Sequence, residues 1–285
     1  MFSGNKLKQT KTGLDVLKMI ATDVAGPAMR KYHGEPGTVA SSLKSDVTPV
    51  TQADVDIDNH SVEMIQARFG KEVGIIREEG KNFNEGAEMR FTIDGVDGTA
   101  EFSRGGTDAV FAGAVETKRL GVESSVIYAP LKPVPLLFWA AQAEGAYLNG
   151  RKLEVSQVRD TSKYPVVEIA SAPGGPDRIP VQKMFLIAQE LQERGFLVNV
   201  IKSISYSNAM VAAGVIVGTI FPWQTLWDIA PGDRLVSEAG GQTSDLRGNP
   251  IHYRMGPVKG TIMSNGHFHD LLVDVVSKHY SPAWV

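Results

Sequence analysis

The strongest constraint on this chain is one short segment, Phe91-Thr92-Ile93-Asp94-Gly95-Val96-Asp97-Gly98-Thr99. Its apolar start reads as a strand close to a core, and it runs into two carboxylates separated by a glycine and a valine. A fold that accepts it must bring two acids to the end of that strand, where Gly95 and Gly98 let the backbone turn and stay accessible. Glu78-Glu79 follows another apolar run, Val73-Gly74-Ile75-Ile76, and reaches the same sheet edge if the two strands are neighbours. Asp228 opens a helix after Trp227, far along the chain. Carboxylates gathered from separate elements repel one another, and a hard cation such as Mg²⁺ offsets that repulsion. On residue pattern alone, the same acids can also be loop carboxylates facing water.

The remaining pattern is one of alternating helices and strands. Leu14, Leu17, Ile20, Val24 and Ala28 recur at helical spacing, and Gly34 through Gly37 ends that helix. Ser41 to Asp46 is polar and reads as loop. Thr51 or Asp54 then caps a second helix through Ile57, Ser61, Ile65 and Phe69. Asp108 to Val115 and Val122 to Tyr128 read as core strands, and Asn149-Gly150 between apolar arms signals a hairpin. Further on, strands are expected over 166–170, 196–201, 215–220 and 261–263, with helices over 181–194, 208–213, 228–239 and 271–276. This alternation predicts mixed layers of sheet and helix. The first structural part is expected to span 1–155 and the second, which supplies Asp228, 156–285.

Composition removes several classes. Among 285 residues, 29 Lys plus Arg face 32 Asp plus Glu, a formal charge of −3, without a dense basic run, so no nucleic-acid polymer is expected as partner. Cysteine is absent, which excludes disulfides, thiolate metal sites and cysteine nucleophiles. No stretch approaches the roughly 20 apolar residues of a membrane span. The start, Met1 to Lys6, carries no following apolar signal segment, so a cytoplasmic location is expected.

Four blocks together resemble the inositol monophosphatase superfamily, in family order over roughly residues 10 to 270. They are Val50-Thr51-Gln52-Ala53-Asp54, Glu78-Glu79, Ile93 to Phe102, and Trp227-Asp228-Ile229-Ala230-Pro231-Gly232-Asp233 with Glu238-Ala239-Gly240-Gly241. The resemblance implies a layered αβαβα phosphatase sandwich in the α/β class, two or three Mg²⁺ ions per site, a small phosphorylated metabolite as partner, and a homodimer. Glu78, Asp94, Asp97 and Asp228 resemble the metal-binding carboxylates, with the Val96 carbonyl as a backbone ligand. Gly98 and Thr99, with Asp97 and Asp228, resemble the groups around phosphate and substrate. Asp54 resembles the acid that orients the threonine hydroxyl, and Glu78 and Thr99 those that prepare the attacking water. Glu79 and Lys44 are further candidates at the same place.

Three departures from the family pattern bear on substrate. Gly95 stands where proline is usual, so the turn costs more entropy to order. Arg77 stands where many relatives have glycine, facing either an anion or solvent. Phe221 stands where inositol enzymes carry an acid that grips substrate hydroxyls, which argues against an inositol phosphate. His267 and His269 read as a metal pair or as packed and solvent-facing side chains. Trp223 and Trp227 read as pocket walls or core, and Ser203, Ser205, Tyr206 and Ser207 as leaving-group contacts or helix caps. The expected activity is hydrolysis of an inositol-like, polyol or sugar monophosphate. Histidinol phosphate, a 3′(2′),5′-bisphosphate nucleotide, and a catalytically silent phosphate-binding or assembly role are the alternatives.

Overall fold

The computed structural model describes residues 12–34, 39–44, 49–170, 181–222, 225–253 and 260–280. The first helix, α1, runs over residues 12–32 and is wound as a π-helix through Ile20–Ala25. β1 (Ser41–Leu43) and β2 (Pro49–Thr51) form an antiparallel pair. The sequence pattern reads 41–46 as loop. The strand at 41–43 carries three exposed side chains and no apolar alternation, and its pairing with β2 makes it a strand. Ser45, Asp46 and residues 35–37 lie outside the described residues.

α2 (Gln52–Phe69) follows directly, and where either Thr51 or Asp54 is expected to cap it, the two together form a capping box. Then come β3 (Gly74–Arg77), β4 (Met89–Asp97), the short α3 (Thr99–Ser103), β5 (Val110–Thr117), β6 (Gly121–Ala129), β7 (Leu136–Ala141), β8 (Gly145–Leu148) and β9 (Arg151–Lys152). These seven strands form one sheet in chain order, with β3 and β4 parallel and every later pair antiparallel. The β8–β9 turn has Asn149 at φ 48° and Gly150 at φ 83°, as expected of an Asn-Gly hairpin.

The second sheet is built from β10 (Val166–Ile169), β11 (Leu197–Val200), β12 (Gly218–Phe221), β13 (Gln242–Asp245) and β14 (Thr261–Ser264), in the order β11-β10-β12-β14-β13. Four helices accompany it: α4 (Val181–Glu193), α5 (Ile204–Ala212), α6 (Leu226–Glu238) and α7 (His269–His279).

Alternation along each strand sorts the layers. Phe111 and Val115 of β5 pack under α1 and α2 with Leu17, Ile20, Ile57 and Phe91. Val110 and Ala112 point the other way, into a core shared with Ala209 and Val211 of α5 and Ile229 and Leu235 of α6. Val167 and Ile169 of β10 pack outward against Ile187 and Leu191 of α4 and Leu272 and Val275 of α7. The order is helix pair, seven-stranded sheet, helix pair, five-stranded sheet, helix pair, the αβαβα sandwich the resemblance implies. Among the described residues, no helix is long and apolar enough to cross a membrane.

Candidate metal and phosphate site

Asp94 and Asp97 are three residues apart, so a regular strand would point them to opposite faces of the sheet. The register shows how they meet. Asp94 pairs with Ala112 and Asp97 with Val110, leaving Gly95 and Val96 opposite Phe111 alone. This bulge turns both carboxylates toward the middle helix layer. There α6 supplies Asp228 from its first turn, where Thr225 caps the helix and donates to Asp228 Oδ2 from its amide (3.1 Å) and hydroxyl (3.0 Å). One oxygen each from Asp94, Asp97 and Asp228 lies within 4.8 Å of the others.

The surrounding groups fix these acids. The Val96 amide donates to Asp94 Oδ1 at 2.9 Å. The amides of Ile204 and Ser205, at the start of α5, donate to the two oxygens of Asp97. The Thr99 hydroxyl lies 2.8 Å from Asp54 Oδ1 and 2.9 Å from the Val96 carbonyl, which ties the capping box of α2 to the turn. Gly98, at φ 92°, makes that turn in the left-handed region. Together these groups line an open cleft of about 260 Å³ that holds Glu78, Asp94, Val96, Asp97, Gly98, Thr99 and Asp228.

Burial and like charge act together on the acids of the cleft. Burial, and then Glu78, Asp97 and Asp228, push the Asp94 carboxyl well above the usual range. Burial also raises Asp97, against the opposing amides of Ser205 and Ile204. Asp228 rises to about 8 through burial and its acidic neighbours Asp97 and Glu78. Glu78 is raised by burial, with Lys44 opposing. An all-oxygen, like-charged, largely buried donor set suits Mg²⁺.

Other predicted residues are placed as follows. Lys44 Nζ lies 2.6 Å from Glu78 Oε1 and also pairs with Glu79, so the position after β1 does reach the acids. Arg77 turns away: its guanidinium donates to Asn59 Oδ1 and the Lys81 carbonyl and lies over Phe83. Phe221 is fully buried and is not part of the cleft lining. The two histidines are not a metal pair, because His267 is exposed while His269 is buried between Ser244 and Ser264. Ser203 caps α5 through the Tyr206 amide. Trp223 lies outside the described residues.

Sequence reasoning missed Asp58 and Lys202. Asp58 is fully buried on α2, accepts the Glu79 amide at 2.8 Å and is pushed up to about 8 by burial. Its spacing of four from Asp54 places the two on one helix face, a signal that was available. Lys202 lines the cleft and is shared with Glu101 and Asp108.

Comparison with known proteins identifies the family. The family model described as "Inositol monophosphatase family" matches residues 11–281. The chain belongs to the inositol monophosphatase family. A Nus factor SuhB of Salmonella typhimurium is 27% identical over 243 residues, covering 82% of this chain and 85% of that one. A histidinol-phosphatase of Chlorobaculum parvum is 28% identical over 234 residues, covering 81% and 85%. The crystal structure of an extragenic suppressor protein suhB from Bartonella henselae superposes with a TM-score of 0.81 at 25% identity, covering 93% of this chain and 98% of that one.

Proposed function

We propose that this family member is a Mg²⁺-dependent phosphomonoester hydrolase acting on a small phosphorylated alcohol of the polyol or sugar class. The observation that carries the reading is the meeting of Asp94, Asp97 and Asp228 within 4.8 Å in an open cleft beside Gly98 and Thr99. Asp94, Asp97, Asp228 and the Val96 carbonyl would hold Mg²⁺, with Glu78 as a further ligand. When bound, the ions neutralise phosphate charge and lower the cost of forming the attacking hydroxide and the leaving alkoxide.

The chain's own groups supply the rest. Gly98 and Thr99 meet the phosphate oxygens, and Asp54 holds the Thr99 side chain in place. The Thr99 hydroxyl and the Glu78 carboxylate orient the attacking water, and Glu78 is the base assigned to its proton. Attack forms a new P–O bond to that water and breaks the P–O bond to the alcohol, which leaves beside Asp228. One water is consumed, and no phosphoenzyme is needed. The relatives' names span a Nus factor and a histidinol-phosphatase, so they do not choose the substrate.

The test is phosphate release from a panel of phosphomonoesters with and without Mg²⁺. Asp94→Asn is expected to lower Mg²⁺-dependent turnover by at least about a hundredfold. Its folded circular dichroism spectrum should be preserved, because the neutral amide relieves repulsion. Near wild-type turnover of that variant at limiting Mg²⁺ would overturn the assignment.

A further inference from the structure

A second cavity, of about 330 Å³, adjoins the carboxylate cleft and shares Lys202 with it. β10 connects the two. Val167 and Ile169 face the outer core, so Glu168 and Ala170 point inward on the same strand face. Ala170 lines the carboxylate cleft, whereas Glu168 lines the adjoining cavity, about 7 Å further along by strand geometry. The first turn of α5 spans the same junction. Its Ile204 and Ser205 amides hold Asp97, while Tyr206 and Ser207 face the second cavity.

The charges in and around that cavity are unevenly matched among the described residues. Asp108 is paired with both Lys132 and Lys202, and Lys202 also pairs with Glu101. Lys132 is further held over the Tyr206 ring, 4.4 Å from its centroid. Glu168 receives a 2.6 Å hydrogen bond from the Ser207 hydroxyl, and among the described residues no cation pairs with it. Among the described residues, Asp108 and Glu101 thus take up both lysines, and Glu168 has a neutral donor but no cation. A ligand ammonium beside Glu168 completes the pairing, while a second phosphate or a carboxylate there meets repulsion.

We infer that Glu168 is a specificity residue for the leaving group, selecting a phosphorylated alcohol that carries a protonated amine at the end remote from the phosphoester. Amino polyols and amino alcohols have this chemistry, and bisphosphates do not. The inference rests on the phosphatase reading above.

The probes are monophosphate esters of 5-aminopentanol, pentane-1,5-diol and 5-hydroxypentanoate, which share length and differ only in the charge at the far end. Steady-state kcat/KM is measured with Mg²⁺ for wild type, Glu168→Gln and Glu168→Lys. The wild type is expected to favour the amine over the carboxylate ester by about tenfold, chiefly through KM. Glu168→Gln should flatten that ratio to within about twofold, and Glu168→Lys should invert it. The neutral diol ester controls for folding, since a damaged variant loses all three esters together while a lost selectivity leaves it unchanged. Turnover of all three by wild type with a ratio that Glu168→Gln does not alter overturns this inference alone. No Mg²⁺-dependent turnover of any ester by wild type overturns the phosphatase reading and this one with it.

Discussion

Gly95→Ala probes how the two-carboxylate turn is built. Gly95 has no positive φ, so its backbone is open to alanine and the matter is one of space. A Cβ there would lie 3.0 Å from the Asp54 carbonyl oxygen, 3.1 Å from Asp58 Oδ1 and 3.3 Å from Ile57 Cβ. The Asp58 carboxylate is the end of a side chain, but it is buried with its Oδ2 on the Glu79 amide and rotates away only by giving up that bond. The Asp54 carbonyl cannot easily do so, because its residue is fixed by the Thr51 amide at 2.9 Å and the Thr99 hydroxyl at 2.8 Å. Two effects therefore compete. Loss of glycine's freedom in the unfolded chain stabilises by about 0.4–1 kcal/mol, while overpacking against a fixed helix costs about 1–3 kcal/mol. Overpacking wins, for a net loss of about 1 kcal/mol and a melting point lower by roughly 2 °C. Pushing β4 away from α2 also displaces Asp94 relative to Asp97, so half-saturation by Mg²⁺ should require several-fold more ion. Thermal melts in EDTA and Mg²⁺ titration calorimetry read both effects. Gly86→Ala is the control, since a Cβ there meets no atom within 4 Å and its φ is not positive. A Gly95→Ala protein that melts as high as wild type and binds Mg²⁺ equally well would refute the steric account.

Two other outcomes follow from the same acids. Lys44 occupies Glu78 and Glu79 as a built-in counter-ion, so Lys44→Gln should lower the melting point in EDTA yet tighten Mg²⁺ binding by about threefold to tenfold; weaker binding in calorimetry would contradict this. Asp228 is raised from an ordinary 3.8 to about 8, so between those values the folded protein holds a proton that the unfolded chain has lost. Stability in EDTA therefore falls as pH rises from about 4 to 8, and Asp228→Asn should make that slope shallower. A melting profile in EDTA that is flat over this range would disprove the linkage.

Which parts of this architecture were legible follows from where each signal resides. The Thr51–Asp54 capping box and the Asn149-Gly150 hairpin are local devices, and both form where their spacing places them. β7 carries a near-continuous apolar run, Leu136 to Ala141, without the alternation that marks a strand, and its identity comes from pairing with β6 and β8. α5 begins at Ile204, four residues before the start at Asn208 that the sequence pattern predicts. Its polar first turn is buried against Asp97 and Glu168 instead of facing water. Glu168 itself sits among valines on a strand, and nothing in its neighbours indicates that an acid there would face inward with no cation beside it among the described residues.

The candidate site divides along the same line. Four blocks of acids in family order announce that carboxylates converge, yet the count of residues between Asp94 and Asp97 argues against it on a regular strand. An odd spacing sends them to opposite faces, and one alone would then face Asp228. The convergence depends on β4 holding two residues against one of β5, which is a property of the paired strand and not of the segment. Gly95 is one of those two residues and lies against α2 with little room for a side chain, so the bulge, the helix and the acids fix one another. A substitution at position 95 that left stability and Mg²⁺ affinity untouched would mean that the bulge alone aligns the carboxylates, and that α2 merely covers them.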